Sequence, residues 1–290
     1  MTALDNKPLA RQFRMLGQGD VAAARLLVDR DPIVNAVLAA RLWSSGLIAP
    51  NRLGGELVGL DDETNPRALE ALCFCGGNLI PIGGRECSWE ALGHFLGSRR
   101  RTCSSLIARA EIVESLWPVL ARYWGPARLI RPAQPMLFLD RPAGVTPDRD
   151  VRPAVADELD RYLPAAIAMF NEELLLKNPG AAARGVLRER LADLIHAGHA
   201  FVRFDRRGQV AFKAEIGAVS PVTCQIQGVW VRPDLRGRGL ATAAVSAVID
   251  AALRLAPSVS LYVNDFNLPA RAVYAKLGMR QVATMSTVMF

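Results

Sequence analysis

Val229-Trp230-Val231-Arg232-Pro233-Asp234-Leu235-Arg236-Gly237-Arg238-Gly239-Leu240-Ala241-Thr242 is the stretch that decides the reading of this chain. The run Cys224–Val231 has the composition of a strand, and Leu240–Leu255 carries a helical pattern, so the glycines sit where a strand turns into a helix. The first turn of a helix has backbone N–H groups with no partner in the helix and the positive end of its dipole, which together attract an anion. Gly237 and Gly239 let oxygens reach the main chain, Ala241 and Thr242 keep the first turn small, and Arg236 and Arg238 add charge beside it. No third glycine follows at the spacing of a dinucleotide fingerprint, and no Gly-Lys-Ser/Thr ends the loop, so nicotinamide and nucleoside-triphosphate readings fall.

Downstream, Ser258–Val263 reads as a strand and Asn267 to Gly278 as a helix, with Asn267 placed to cap it and Gly278 to end it. Ala270 and Tyr274, at i and i+4, then share a helix face. The two segments together resemble the GNAT acyltransferase superfamily. Val229-Trp230-Val231-Arg232-Pro233 followed by Arg236-x-x-Gly239-x-Ala241 is similar to its acetyl-CoA motif. Tyr262-Val263-Asn264, Asn267, Ala270, Tyr274 and Leu277-Gly278-Met279 are similar to its second CoA-binding segment, where neighbouring strands splay to admit the pantetheine arm.

The resemblance implies an acyl-CoA-dependent N-acyltransferase moving acetyl, or another short acyl group, to a primary amine by direct attack in a ternary complex. It further implies that the Val231 N–H polarises the thioester and that Tyr274 protonates the leaving sulfur. Gly237, Arg238, Gly239, Leu240, Ala241 and Thr242, with Arg236, would hold the pyrophosphate, and Val229, Asn267 and Ala270 would line the rest of the cofactor site. The alternative is a non-catalytic CoA-binding regulatory or interaction protein. A glutamate often found on the central strand of the superfamily is replaced here by Gln225 or Gln227. Those two, together with Val229 and Val231, are expected on one side of the strand, lining the acceptor site. Glu215 on the preceding strand is the preferred carboxylate, set against a solvated Lys213–Glu215 pair. Glu172 and Glu173 can orient a cationic acceptor or simply end a helix, and Glu173 is carried as a substrate-binding candidate.

The 290 residues suit two domains, and the stretch Leu139–Val155, rich in proline, glycine and charge, places the boundary near 148. The expected architecture is α/β (α+β). As a whole the chain resembles actinobacterial two-domain GNAT proteins, which implies a degenerate GNAT-like domain over 1–147 and an acetyltransferase domain over 148–290, each a mixed twisted sheet flanked by helices. The first half lacks the Arg/Gln-x-x-Gly-x-Gly/Ala motif; its Gly76-Gly77 and Gly83-Gly84 pairs read as turns, so it is expected to bind no CoA. Its elements are expected as a helix over Leu9–Asp29, another from Asp31 to about Gly46, short strands from Gly55 to Ile107, and helices at Trp89–Leu96 and Glu111–Trp124.

A net charge of +7 comes almost wholly from arginine, since lysine stands only at 7, 177, 213 and 276. That balance favours an anionic ligand, and a phosphate-rich cofactor satisfies it. Arg99-Arg100-Arg101 has no interleaved aromatics, so nucleic acid is not expected; the partner expected is a small-molecule, peptide or protein amine. Cys73, Cys75, Cys87, Cys103 and Cys224 are odd in number, and they read as apolar residues of a cytoplasmic protein rather than as a disulfide framework or a metal site. His196 and His199 read as a helix terminus. Charges break every long apolar run, so neither a signal peptide nor a membrane span is expected.

Overall fold

A computed structural model describes residues 12–65, 67–174 and 180–290. In chain order the elements are β1 (Arg14–Met15), α1 (Val21–Val28), α2 (Ala36–Ser45), α3 (Pro50–Leu53), β2 (Gly55–Asp61), β3 (Leu69–Gly76), β4 (Asn78–Gly83), α4 (Glu86–Gly97), β5 (Ser105–Arg109), α5 (Ala110–Trp124) and β6 (Leu129–Leu139). They continue as β7 (Arg152–Pro153), α6 (Leu159–Leu174), α7 (Ala181–His196), β8 (Ala200–Phe204), β9 (Val210–Val219), β10 (Cys224–Val231), α8 (Leu240–Ala252), β11 (Val259–Tyr262), α9 (Leu268–Lys276) and β12 (Arg280–Met289). This is the mixed α/β architecture expected. The start of the chain differs: where a helix is expected over Leu9–Asp29, the described part holds β1 and only a short α1, and Leu9, Ala10 and Arg11 lie outside the described residues. No helix among the described residues is long and apolar enough to cross a membrane.

Packing divides the described residues into two units, one within 12–31, 41–134 and 284–290, the other within 32–40 and 135–283. In the first, β2, β3 and β4 form an antiparallel meander, β4 pairs parallel with β5, and β12 pairs antiparallel with β5 from Met285↔Arg109 to Met289↔Ser105. Its core gathers Val58, Ala71, Cys73, Leu79, Trp89, Leu92, Leu106, Leu116, Leu120 and Val288. In the second, β8, β9 and β10 are antiparallel, β10 pairs parallel with β11, and β11 pairs antiparallel with β6 from Val259↔Leu139 to Tyr262↔Met136. Two apolar clusters cover the two faces of this sheet. One joins Leu137, Leu139, Phe212, Ile226, Leu261 and Tyr274 to α8, and the other joins Tyr162, Ala166, Leu191, Val202 and Trp230.

Each unit thus repeats an antiparallel meander whose last strand crosses over through a helix to a parallel neighbour, α4 in one and α8 in the other. Each also needs a strand from far along the chain, β12 for the first and β6 for the second. A single cut near 148 gives the segments of the sequence but not the packed units. β6 is absent from the sequence expectation because Pro132 and Pro135 interrupt its apolar pattern, and proline marks a strand that lacks a full ladder of hydrogen bonds. A fragment of residues 148–290 loses Leu137 and Leu139 from its core and leaves β11 without its antiparallel partner. Such a fragment is expected to show no cooperative thermal transition by circular dichroism; a sharp melt would mean that β6 is dispensable.

Candidate active site and cofactor cradle

The site is built on β10. It pairs with β9 through Gln225↔Ala218, Ile226↔Ile216, Gln227↔Glu215, Trp230↔Lys213 and Val231↔Phe212. Three steps from Gln227 to Trp230 face two steps on β9, so β10 carries a bulge at Gly228-Val229. Gly228 has a φ of 60°, and a Cβ there would stand 3.0 Å from Lys213 Nζ and 3.1 Å from Glu215 Oε1. Only glycine satisfies both the backbone conformation and the space. Gly228→Ala is expected to lower stability by about 1–3 kcal/mol, read as a shift in the denaturation midpoint; an unchanged midpoint would mean that the bulge relaxes freely.

The bulge corrects an expectation. Strict alternation would put Gln225, Gln227, Val229 and Val231 on one side of the strand. The extra residue flips the register, so Val229 and Val231 pack with Ile226 against the cluster of α8 and α9, while Trp230 turns to the cluster of α6 and α7. Gln227 stays opposite Glu215, its carboxamide lying over Gly217, and its Nε2 is buried with no hydrogen-bond partner among the described residues. Gln225 is buried. An isolated glycine inside a strand pattern is the sequence signal that announces such a bulge.

Parallel pairing between β10 and β11 is confined to Cys224↔Val259 and Gln225↔Ser260. Beyond Gln225 the two strands part, which is the splay that the resemblance implies. Val229, Val231, Leu240 and Ala270 pack around the cluster that contains Tyr274, so these expected site residues lie together. Past Val231, a short 3-10 turn over Pro233–Leu235 leads to Arg236, and Arg232 is tied to Asp205 at 2.8 Å and Asp234 at 2.7 Å. Gly237 and Gly239 then take φ of 74° and 78°. A Cβ at either would meet no heavy atom within 4 Å, and α8 begins with no side-chain cap and no acidic residue in its first turn. The Thr242 N–H turns back to the Gly239 carbonyl at 3.3 Å, the start of α8 is otherwise uncapped by side chains, and Arg238 is exposed beside it with Ala241 and Thr242 half-buried.

Asn267 caps α9 through its Oδ1, which accepts the Ala270 N–H at 3.2 Å, so it is held as a cap as well as being a cofactor candidate. Tyr274 is only 5% exposed, and burial, followed by the negative charge of Glu173, pushes its hydroxyl well above the usual phenol range. It keeps its proton at any working pH.

Glu215 is not the partner of a solvated pair. Its Oε1 accepts from Lys213 Nζ at 2.5 Å, its Oε2 lies 3.7 Å from Arg190, and the Lys213 side chain is fully buried. Lys213 Nζ also sits 5.4 Å from the centre of the Tyr162 ring and 3.5 Å from Met169 Sδ. The Tyr162 hydroxyl donates to the Ala214 carbonyl at 3.3 Å, and burial with the nearby Glu215 charge raises its pKa. This cluster lies on the α6–α7 face, where it supports Gly228. Among the described residues no group of three or more His, Cys, Asp or Glu could hold a metal ion, and His196 ends α7.

The corresponding turn of the first unit, β4 to α4, is built differently. Gly83 and Gly84 have φ of 71° and 75°, but a Cβ at Gly83 would strike the Glu70 carbonyl and one at Gly84 the Trp89 ring. The Glu70 carboxylate accepts from the Ser88 hydroxyl and, at 2.7 Å, from Arg85, and Glu86 adds a second acid to the first turn of α4. Protein atoms crowd this turn where the β10–α8 turn is open, and Glu70 stands beside it paired with Arg85.

Residues 179–279 match the acetyltransferase (GNAT) family. The second unit contains a GNAT acetyltransferase domain. Residues 55–162 match a domain of unknown function, DUF4081, which fits a degenerate domain in the first half. Among curated proteins none matches the chain. Solved structures with a similar fold include a Drosophila protein at 12% identity and a TM-score of 0.69, covering 97% of this chain and 99% of that one. A GCN5-related N-acetyltransferase from Sphaerobacter thermophilus is 15% identical with a TM-score of 0.56, covering 95% of this chain and 94% of its own. A tandem GNAT protein from the clavulanic acid biosynthesis pathway is 14% identical with a TM-score of 0.55, covering 96% and 98%. The fold is therefore that of two-domain GNAT proteins.

Proposed function

We propose that this GNAT protein is an acyl-CoA-dependent N-acyltransferase that transfers acetyl to a primary amine by direct attack in a ternary complex. One observation carries the reading: an open, uncapped helix start with two positive-φ glycines follows a bulged strand that parts from its parallel neighbour. A pyrophosphate suits the first feature, and an extended amide-containing arm suits the second, because main-chain groups along a parted strand are ready to pair. Gly237–Thr242 with Arg236 and Arg238 would take the pyrophosphate. Val229, Val231, Asn267 and Ala270 would border the arm. On this reading the second unit carries the reaction, and the β4–α4 turn of the first unit is closed to CoA.

In the transfer, the Val231 N–H polarises the thioester carbonyl, the neutral amine attacks to form the C–N bond, the C–S bond breaks as Tyr274 gives its proton to the departing thiolate, and the proton shed by the amine nitrogen restores the Tyr274 hydroxyl. Glu215 is bonded to Lys213 and lies beside Arg190 on the α6–α7 face under Gly228, so it acts as support for the bulge rather than as the base. Gln227, with an unused buried donor, and Gln225 border the acceptor side, and Glu173 lends negative charge that favours a cationic amine. The absence of a free carboxylate at Gln225 and Gln227 is the one feature that favours a non-catalytic CoA-binding protein. Calorimetry with acetyl-CoA, followed by an amine screen that reads released thiol, separates the two. Binding with thiol release supports the enzyme, binding without release for any amine supports the regulator, and no binding removes both.

A further inference from the structure

Glu172 lies near the end of α6, and its carboxylate is shared. Oε1 accepts the Trp230 indole N–H at 3.2 Å, and Oε2 accepts from the Arg236 guanidinium at 2.7 Å. Arg236 also donates through Nε to the Val231 carbonyl at 2.9 Å. Trp230 and Arg236 therefore grip Val231 from both sides: the ring belongs to the residue whose carbonyl is joined to the Val231 N–H, and the guanidinium holds the Val231 carbonyl itself. Trp230 is 7% exposed, and a buried indole N–H left without an acceptor is costly. At the same time the carboxylate neutralises Arg236, a cation at the mouth of the cradle, so its presence works against anion binding there.

We infer that Glu172 is a positioning residue: it clamps the exit of β10 so that the Val231 N–H keeps the direction needed to polarise the thioester. This rests on the acyltransferase reading above. The clamp predicts an unusual split, because its loss disorients the polarising N–H while freeing positive charge for the pyrophosphate. A residue that merely binds the cofactor would weaken affinity instead, and one that merely ends a helix would change neither.

The test uses the full chain and acetyl-CoA labelled with carbon-13 at the thioester carbonyl. Isotope-edited infrared spectra report the lowering of the carbonyl stretch on binding, and calorimetry reports affinity. In Glu172→Ala the lowering is expected to shrink and kcat to fall about tenfold, with Kd for acetyl-CoA no weaker than in the wild type. Glu172→Gln keeps an acceptor for Trp230 without the charge pair, and is expected to fall between the two. A wild-type carbonyl band with wild-type kcat in Glu172→Ala, or weakened binding with kcat unchanged, overturns the clamp while leaving the acyltransferase reading intact. Failure of the wild type to bind acetyl-CoA overturns that reading, and the clamp with it.

Discussion

Replacing Gly239 by glutamate is expected to weaken acetyl-CoA binding by about a hundredfold or more while the chain remains folded. Gly239 sits at a φ of 78° immediately before α8, and the space its Cβ would enter is empty. A glutamate at the head of a helix interacts well with the dipole, which offsets part of the cost of about 1–2 kcal/mol for a side chain in the left-handed region. Its carboxylate would then stand where the pyrophosphate is proposed to sit, and like charges brought together cost several kcal/mol. The first unit supplies a natural precedent in its own turn, where Glu70 and Glu86 surround the start of α4. Calorimetry on the variant, with thermal unfolding as the check on folding, decides the matter. Undiminished affinity in a folded variant would place the cofactor elsewhere.

Tyr274→Phe is expected to lower kcat about a hundredfold or more, the range for a lost general acid, with Kd for acetyl-CoA changed by less than about threefold. The packing argument is simple: Tyr274 belongs to the core cluster with Leu261, Val263 and Leu277, and phenylalanine keeps that contact. The pH dependence carries a sign that can be checked. Burial raises the folded-state pKa of this phenol above its unfolded value near 10, so the folded state holds the proton more tightly. Stability from this group is complete below about pH 10 and is lost as pH rises beyond it towards the folded value. The wild type should lose stability above that point more steeply than the variant, and Tyr274 should give kcat no descending limb below about pH 10. Equal kcat in the two proteins would take Tyr274 out of the reaction.

Much of this protein was legible along the chain. The β10–α8 turn reads directly from Arg236-Gly237-Arg238-Gly239, because positive φ and an uncapped helix start are properties of a few consecutive residues. The cap at Asn267 and the helix end at Gly278 are equally local, and the structure has both, with φ of 80° at Gly278. Glu70 at the turn of the first unit, by contrast, escaped notice, since it approaches Ser88 from another strand.

What the sequence by itself determined, then, is most of the elements and the glycine-rich turn between β10 and α8, whose conformation is settled within a few residues. Tertiary structure decided everything that depends on register and partnership. One extra residue at Gly228 turns Val229 and Val231 away from the face of Gln227, and β9 packing buries Lys213 with Glu215 where alternation alone suggests solvent. β6 and β12 find their partners far from their neighbours in sequence, and Glu172 reaches Arg236 across 64 positions of chain. The physical reason is the same in each case. Backbone conformation is chosen by local sterics, whereas a strand's face, a buried charge's partner and a sheet's last strand are chosen by long-range packing that no window of the sequence contains.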